Sequence, residues 1–314
     1  IGMLLMGAIL IGFSVYNSKQ FEKQRAYQME QDSIAQARAL EYAAEMAARA
    51  DSLSALGIQP QSKSQYAYVS KDSLLEAAYN APAQFYTLEN DKIKAVYTTR
   101  GAQAYNVEIK DYFTYDSLAL NIVKEGQSDF GIQFYTTQML DTRNFTFNTV
   151  ESTDSTLKMR LPFAQDSYIE YAYYLPQDSY EVKFDFNLVN MDQYISKNAR
   201  NFDVTWKLDI PRLEKGYDNE RNYSTVDFKY PNDEDVENLG LRKESASKEI
   251  TTKVSWFAFQ QQFFSAILDA ENDFEGGDLS FAFFKENDPH KNLMQCNANM
   301  QVAYTPAESV TIPF

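Results

Sequence analysis

The strict alternation of apolar and polar side chains in the segment 179–189 is the feature that most constrains the fold. Here Val182, Phe184, Phe186 and Leu188 alternate with charged or amide side chains. Successive side chains of a β-strand point to opposite faces of the sheet, whereas an amphipathic helix repeats its apolar residues every three or four positions. The spacing therefore predicts a strand with one buried and one solvated face.

Similar alternation continues through most of the region 85–312, and no long amphipathic helix interrupts it. Clusters of turn-forming residues separate the runs at 89–91, 176–178 and 190–192. The 22 Phe and 22 Tyr residues are ample material for a large core and pack well on pleated surfaces. The pattern predicts a mainly β fold, an antiparallel β-sandwich of two large sheets formed by residues 85–314.

The most apolar stretch of this region is the segment 254–270. Periodicity alone does not distinguish a buried helix from a buried strand in a run of this kind. We interpret it as a short helix at 256–262 followed by a buried strand at 264–268. The acidic sequence DFEGGD at 273–278 predicts a charged hairpin turn after that strand.

The first 17 residues form an uncharged apolar segment with three glycines. A cleaved signal peptide needs a basic start and a small-residue cleavage site, and neither is present. In a buried helix of a water-soluble protein, the glycines would be unfavourable. A transmembrane helix tolerates glycine on its packing faces. We therefore expect a membrane anchor at 1–17 whose N-terminal part precedes Ile1.

The next region, 18–57, lacks proline and is rich in helix-forming residues, and its only glycine is the last residue, Gly57. Its apolar residues are too sparse for a sustained coiled-coil seam, so a solvated helical stalk is favoured over a coiled-coil partner face. Residues 58–84 contain prolines and serines, which are typical of a linker, with a short helical turn expected at 73–79.

The charge balance and the scarcity of His and Cys argue against several classes of function. The net charge of −15 disfavours binding to nucleic acids, whose phosphates repel an acidic surface. His290 and Cys296 are single, so we expect no zinc site, no Ser-His-acid triad, no disulfide and no cofactor. The carboxylates at 271, 273 and 275 imitate the start of a calcium loop, but its twelfth position is Ala282 rather than Glu. We predict a protein that is not an enzyme.

Several motifs together resemble one known family, the YidC-type membrane protein insertases. The similarity includes the apolar segment 1–18, the sequence YTLENDKIKAVYTTRGA at 86–102 and the YYLP sequence at 173–176. The most specific part is a Trp-x-x-x-x-Gln-Gln-aromatic-Phe motif, formed here by Trp256, Gln261, Gln262, Phe263 and Phe264. The resemblance covers essentially the whole chain and is weakest at 18–83.

The resemblance implies a β-supersandwich domain in the periplasm, anchored in the bacterial inner membrane. In this family a five-helix membrane core follows the domain, so we expect the insertion residues to lie outside this chain. Sec translocon components and nascent inner-membrane proteins are the implied partners. The alternative is a membrane-anchored periplasmic carbohydrate-binding or mutarotase-like β-sandwich protein, because supersandwich folds also occur in sugar mutarotases and fold alone does not decide function.

Two groups of aromatic residues are candidates for partner binding. The polar region 215–249, together with the adjacent Glu214, contains ten acidic residues interleaved with aromatic residues. This region either is a solvated loop or edge hairpin or offers an edge and aromatic anchors to a partner. Its aromatics are Tyr217, Tyr223, Phe228 and Tyr230. For the second group, the aromatics of the motif at 256–264, we expect a mainly structural role in the core rather than client binding.

Overall fold

The computed structural model describes residues 73–314; the expected anchor and stalk, and most of the expected linker, lie outside the described residues. The described part is mainly β, and all its named strand pairs are antiparallel, which confirms the predicted class. In this part of the chain, no helix is both long and apolar enough to cross a bilayer.

The first described element is the helix α1, Ser73–Asn80, which confirms the helical turn predicted there. Its Leu75 side chain is buried, and its Ala78 carbonyl accepts a hydrogen bond from the Thr146 amide at 2.9 Å. At the same end of the helix, the Arg100 guanidinium donates to the Tyr79 carbonyl at 2.7 Å. The helix is therefore packed into the β domain.

The strands form three sheets instead of the two predicted large sheets. One sheet has four strands in the order β1 (Phe85–Glu89), β2 (Ile93–Thr98), β3 (Gln103–Phe113) and β4 (Ala119–Val123). A second sheet has five strands in the order β18 (Ser309–Pro313), β10 (Lys183–Val189), β9 (Ser167–Tyr174), β8 (Thr156–Ala164) and β7 (Asn148–Ser152).

The third sheet has nine strands. Eight follow the order β13 (Glu237–Asn238), β12 (Thr225–Lys229), β15 (Val254–Gln260), β16 (Ser265–Phe283), β17 (Asn292–Ala303), β11 (Asn201–Pro211), β5 (Ser128–Tyr135) and β6 (Met139–Asp141). The ninth, β14 (Ser245–Ile250), pairs with β16. Two short helices complete the fold, a 3-10 turn at Thr142–Asn144 and α2 at Tyr217–Asn222. The two-sheet prediction is wrong because alternation marks strands but carries no information about which strands pair.

An aromatic layer fills the space between the five-stranded and nine-stranded sheets. Phe184 of β10 contacts Phe130 of β5, with ring centroids 5.8 Å apart. Phe186 packs against the contacting pair Phe134 and Phe202, at centroid distances of 6.4 and 6.1 Å. These are the inward residues of the alternating segment 179–189, so the predicted buried face of that strand is confirmed.

The helix predicted at 256–262 is wrong, because Val254–Gln260 is the strand β15. It pairs with β12 on one side and β16 on the other, and Phe257, Ala258 and Phe259 are all buried. A strand covered on both faces shows a continuous apolar run instead of alternation. Periodicity therefore could not separate it from a buried helix.

The two predictions for the following segment also need correction. The strand at 264–268 forms, but its outer face is open, and Ile267 is 57% exposed. The hairpin turn predicted at 273–278 is instead a bulge within the long strand β16. Gly276 and Gly277 have φ angles of 135° and 145°, which let the strand change pairing partners without reversing direction.

Candidate partner-binding surface

Tyr217 and Tyr223 lie at the two ends of the helix α2. The helix begins after Gly216, and Asp218 in its first turn places a negative charge where it interacts favourably with the helix dipole. The Tyr217 hydroxyl donates a hydrogen bond to the Phe284 carbonyl, and this ring is half-buried. The Tyr223 side chain is 51% exposed. Of these two candidates, Tyr223 is the one whose ring is open to a partner.

Phe228 and Tyr230 belong to a different arrangement at β12. The Phe228 ring is fully buried and meets the Tyr230 ring edge-on at 5.3 Å. The Lys248 ammonium lies 4.7 Å from the Phe228 centroid and 5.8 Å from the Tyr230 centroid. A buried ring beneath a lysine is a packing element, so among the four candidates Phe228 is not available as an exposed anchor.

The edge of the nine-stranded sheet in this region is the strand β13. It contains only two residues, Glu237 and Asn238, and both are exposed. The acidic loop before it is tied back by Lys229, which donates to the Asp233 and Asp235 carbonyls, the latter at 3.1 Å. So short an edge offers few backbone groups for strand addition.

The aromatic residues of the motif at 256–264 differ in burial. Phe257 is fully buried and contacts Trp206 of β11 at 6.2 Å, with Phe259 adding a second contact to Trp206 at 4.8 Å. Trp256 is half-buried on β15, where it pairs with Lys229 and Asp269. Phe257 therefore occupies the core position that the sequence predicts for these aromatic residues.

Gln261 is a buried polar residue that joins three parts of the chain. Its Nε2 donates to the Pro211 carbonyl at 2.7 Å and lies 3.4 Å from Oε1 of Glu220. The Glu220 carboxylate is itself fully buried and accepts hydrogen bonds from the backbone amides of Leu213 at 2.9 Å and Glu214 at 3.3 Å. This network attaches α2 to the end of β15.

The environment of Glu220 favours its neutral form more than water does. Burial raises the pKa of this carboxyl from 4.5 to about 7, against the opposing effect of the two backbone hydrogen bonds. Asp227 on β12 is affected by the same cause, and burial raises its pKa to about 6. Both groups lie in the region 215–249, for which the sequence predicted either a solvated loop or edge hairpin or a partner-binding edge, and neither interpretation included a buried carboxylate.

The last residues of the motif form the tip of the hairpin between β15 and β16. The Gln261 amide donates to the Phe264 carbonyl at 2.8 Å across this tip, and the Gln262 side chain accepts from Asn219 at 3.2 Å. Phe263, at the apex, is 67% exposed, so the core position expected for it is not what the structure shows. Phe264 is half-buried.

A second group of exposed aromatics adjoins this tip and was missed by sequence analysis. Tyr112 contacts Phe264 edge-on, with ring centroids 5.4 Å apart. Tyr112 is 49% exposed and its neighbour Phe113 is 68% exposed. Both lie at an irregular end of β3, beside Asp111 with a φ of 65°. The loss of regular alternation before residue 113 was the available sign that these rings leave the core.

The described residues contain few side chains suited to metal binding or covalent catalysis. In the range 73–314, no three His, Cys, Asp or Glu side chains are grouped in a way that could hold a metal ion. His290 lies in an exposed turn, where its backbone amide donates to Asp288. Cys296 is fully buried, and that burial raises the pKa of its thiol well above the ordinary value.

A sequence model described as the YidC periplasmic domain matches residues 86–312, nearly the whole described β region. The chain belongs to this family. The match extends across all three sheets and includes both the hairpin tip at 261–264 and α2. The resemblance noted from the motifs of the sequence is thereby confirmed.

The chain is also similar to curated proteins named membrane protein insertase YidC. The protein from Porphyromonas gingivalis is 32% identical over 288 residues, which cover 89% of this chain and 44% of the relative. The protein from Bacteroides fragilis is 30% identical over 275 residues, covering 87% and 43%. That from Parabacteroides distasonis is 29% identical over 310 residues, covering 93% and 47%. The chain thus spans less than half the length of these relatives.

Among solved structures, the chain is similar to proteins described as mutarotase-like or as an aldose epimerase. A galactose mutarotase-like protein from Lactobacillus casei aligns with 73% of this chain and 98% of its own, at 11% identity and a TM-score of 0.47. A putative aldose 1-epimerase from Escherichia coli K12 aligns with 74% and 97%, at 8% identity and a TM-score of 0.44. Similarity this distant carries no inference about sugar chemistry in the YidC periplasmic domain.

Proposed function

We propose that this chain is the membrane-anchored periplasmic part of a YidC-type insertase, a protein that places transmembrane segments in the inner membrane. The observation that carries the proposal is the family match over residues 86–312, together with relatives named as insertases. In this proposal the anchor at 1–17 holds the β domain at the periplasmic face of the membrane. Nascent inner-membrane proteins and Sec translocon components are its partners.

The insertion step itself belongs to another part of the full-length protein. Moving polar backbone groups across hydrocarbon costs several kcal/mol for each unsatisfied group, so the protein must lower this cost within the membrane. An acidic, aromatic-rich sandwich outside the bilayer can bind, position or brace, and none of these roles needs covalent catalysis. We therefore propose an accessory role for the domain and no enzymatic activity.

The test compares two reconstituted proteins. The full-length protein and the chain 1–314 are placed separately in vesicles of bacterial phospholipids, and insertion of a small single-span protein is measured by protection from protease. We expect insertion with the full-length protein and no gain over protein-free vesicles with 1–314 alone. Insertion by 1–314 alone would overturn the accessory role, and absence of insertion with the full-length protein would overturn the insertase assignment.

A further inference from the structure

Four aromatic residues from two distant parts of the chain form one exposed surface, which we call the aromatic tip surface. It consists of Tyr112, Phe113, Phe263 and Phe264. The Tyr112–Phe264 contact at 5.4 Å joins the end of β3 to the β15–β16 hairpin tip. Phe113 and Phe263 are the most exposed of the four, at 68% and 67%. The two loop tips therefore present apolar rings side by side to the outside.

The geometry of the hairpin tip does not account for the exposed ring of Phe263. Tight turns favour Gly, Asn, Asp and Ser, because these residues adopt turn conformations or bond the backbone, and a phenylalanine at the apex adds neither property. Phe263 leaves two-thirds of its side chain in water. An exposed apolar group at a rigid tip is typical of a contact with something outside the domain.

Hydrogen bonds and packing hold the surface in place. Gln261, at the base of the hairpin tip, is anchored to the Pro211 carbonyl at 2.7 Å. On the other side, the Tyr115 amide donates to the Leu213 carbonyl at 3.0 Å. The Arg212 guanidinium lies 5.7 Å from the ring centroid of Tyr115. Both loop tips are therefore attached to one common segment, residues 211–213. Because they are already ordered, binding would cost little conformational entropy.

Charge and size favour a bilayer as the occupant. The segment 254–268 contains no charged residue in a protein of net charge −15, so the hairpin half of the surface brings no carboxylate towards lipid phosphates. The β3 half adds one exposed carboxylate beside the rings, that of Asp111. Four partly exposed rings offer less area than the roughly 800 Å² per partner of a stable protein complex. Aromatic rings are, by contrast, favoured in the headgroup region of a membrane.

We propose that the aromatic tip surface inserts into the headgroup region of the bilayer that carries the chain. This inference rests on the proposed function, in which the domain is anchored at the membrane. Tethering raises the effective concentration of the bilayer to about the millimolar range or above, so a contact too weak for a free protein suffices. Residues 18–72 could span at most roughly 200 Å, which leaves the bilayer within reach of this face.

The chain offers a clean way to test the contact with one fluorescent probe. Cys296 is fully buried, so a cysteine introduced at the surface is the site that a thiol dye labels. The full chain carrying Phe263→Cys, labelled with an environment-sensitive dye, is reconstituted in vesicles of phosphatidylethanolamine and phosphatidylglycerol. Some of these vesicles contain a lipid with a spin-label quencher near its headgroup. Phe113→Cys provides a second probe on the same surface.

The matched control is Tyr135→Cys, since Tyr135 is 58% exposed and lies at the far end of β5. The near end of β5, at Ser128, pairs with Leu208, three residues before the carbonyl that Gln261 contacts. We expect the dyes at 263 and 113 to lose most of their emission in quencher vesicles and the dye at 135 to lose little. Each labelled chain should melt at the temperature of the unlabelled protein.

Four outcomes would overturn the inference. Unquenched dyes at 263 and 113 on chains that float with the vesicles would exclude the contact and leave the proposed function intact. Equal quenching at all three positions would show that the bilayer does not select this face. An emission change on adding a soluble apolar peptide, without quenching by lipid, would assign the surface to polypeptide instead. Chains that fail to float would overturn both the anchored arrangement and this inference.

Discussion

The side-chain amide of Gln261 lies 3.4 Å from the buried carboxylate of Glu220, and the same nitrogen donates to the Pro211 carbonyl at 2.7 Å. One side chain thus connects the β15–β16 hairpin, the helix α2 and the end of β11. Removing it would take this donor from the buried Pro211 carbonyl and one of three donors from Glu220, and a buried polar group that loses its partner costs more than the net gain from a hydrogen bond.

Gln261→Ala should therefore lower the free energy of unfolding by about 1–3 kcal/mol. The neighbouring Gln262 supplies the control, because its half-buried side chain makes one exposed hydrogen bond, to Asn219. Gln262→Ala should change the stability by less than about 0.5 kcal/mol. Both values are measured by urea unfolding of the full chain. Equal losses in the two variants would contradict the connecting role of Gln261.

The stability of the protein should fall as the pH rises, because the buried Glu220 carboxyl loses its proton. Its pKa is about 7 in the folded protein against an ordinary value of 4.5, so the folded state binds more protons than the unfolded state between these values. The stabilising contribution is complete below about pH 4.5 and is lost as the pH rises through about 7, at a total of roughly 3 kcal/mol.

Glu220→Gln keeps the shape and removes the titration. The stability of this variant should fall less than that of the parent between about pH 5 and pH 8, as followed by chemical unfolding at each pH. Asp227, whose pKa is about 6, contributes in the same direction, so Asp227→Asn serves as the parallel variant. Identical pH profiles for the parent and Glu220→Gln would exclude the buried carboxylate as a source.

The bulge in β16 should not tolerate a side chain at Gly277. A Cβ atom there would lie 2.1 Å from the Asn299 carbonyl oxygen, in addition to the strain of a φ of 145°. Gly126 is the matched control, since its φ is also positive, at 70°, but a Cβ would meet nothing within 4 Å. Gly126→Ala should cost about 1–2 kcal/mol and Gly277→Ala clearly more, measured by thermal unfolding. Similar costs would mean that the strands separate easily here.

Truncation to alanine should lower the stability strongly at one phenylalanine of the motif and only slightly at another. Phe257 is fully buried, so Phe257→Ala should lower the free energy of unfolding by about 3–5 kcal/mol. Phe263 is 67% exposed, and Phe263→Ala should change it by less than about 0.5 kcal/mol. Guanidinium unfolding of both variants checks the difference. A large loss for Phe263→Ala would assign this ring to folding and weaken the case for the aromatic tip surface.

The acidic region retains one open candidate for partner binding. A photo-crosslinking residue at Tyr223, which is 51% exposed, should capture a Sec subunit or a nascent chain in cells that carry the full-length protein. The same residue at Tyr230, which is half-buried, should capture less. Capture should weaken with salt in membranes isolated from these cells, because exposed charges are screened beyond about 8–10 Å. Absence of crosslinks at 223, with crosslinks elsewhere on the domain, would leave this region as a solvated edge.

Local patterns in the sequence were sufficient to predict that this is an antiparallel β protein. Side-chain alternation is a property of neighbouring residues, so the buried face of β10, with Phe184 and Phe186, could be assigned without knowing its partners. The short helix at 73–79 was likewise predicted from the local sequence alone. The motif at 256–264, too, pointed to the family by its residues alone.

The tertiary structure decided which strands pair and which side chains meet. Gln261 and Glu220 are 41 positions apart. The ring of Tyr112 belongs to β3 of the four-stranded sheet, whereas Phe264 lies in the hairpin tip that joins two strands of the nine-stranded sheet. β15 is a strand because β12 and β16 cover its two edges, and Phe263 is exposed because the hairpin ends there. Such contacts depend on the free energy of the whole fold, so patterns among residues close in sequence do not predict them.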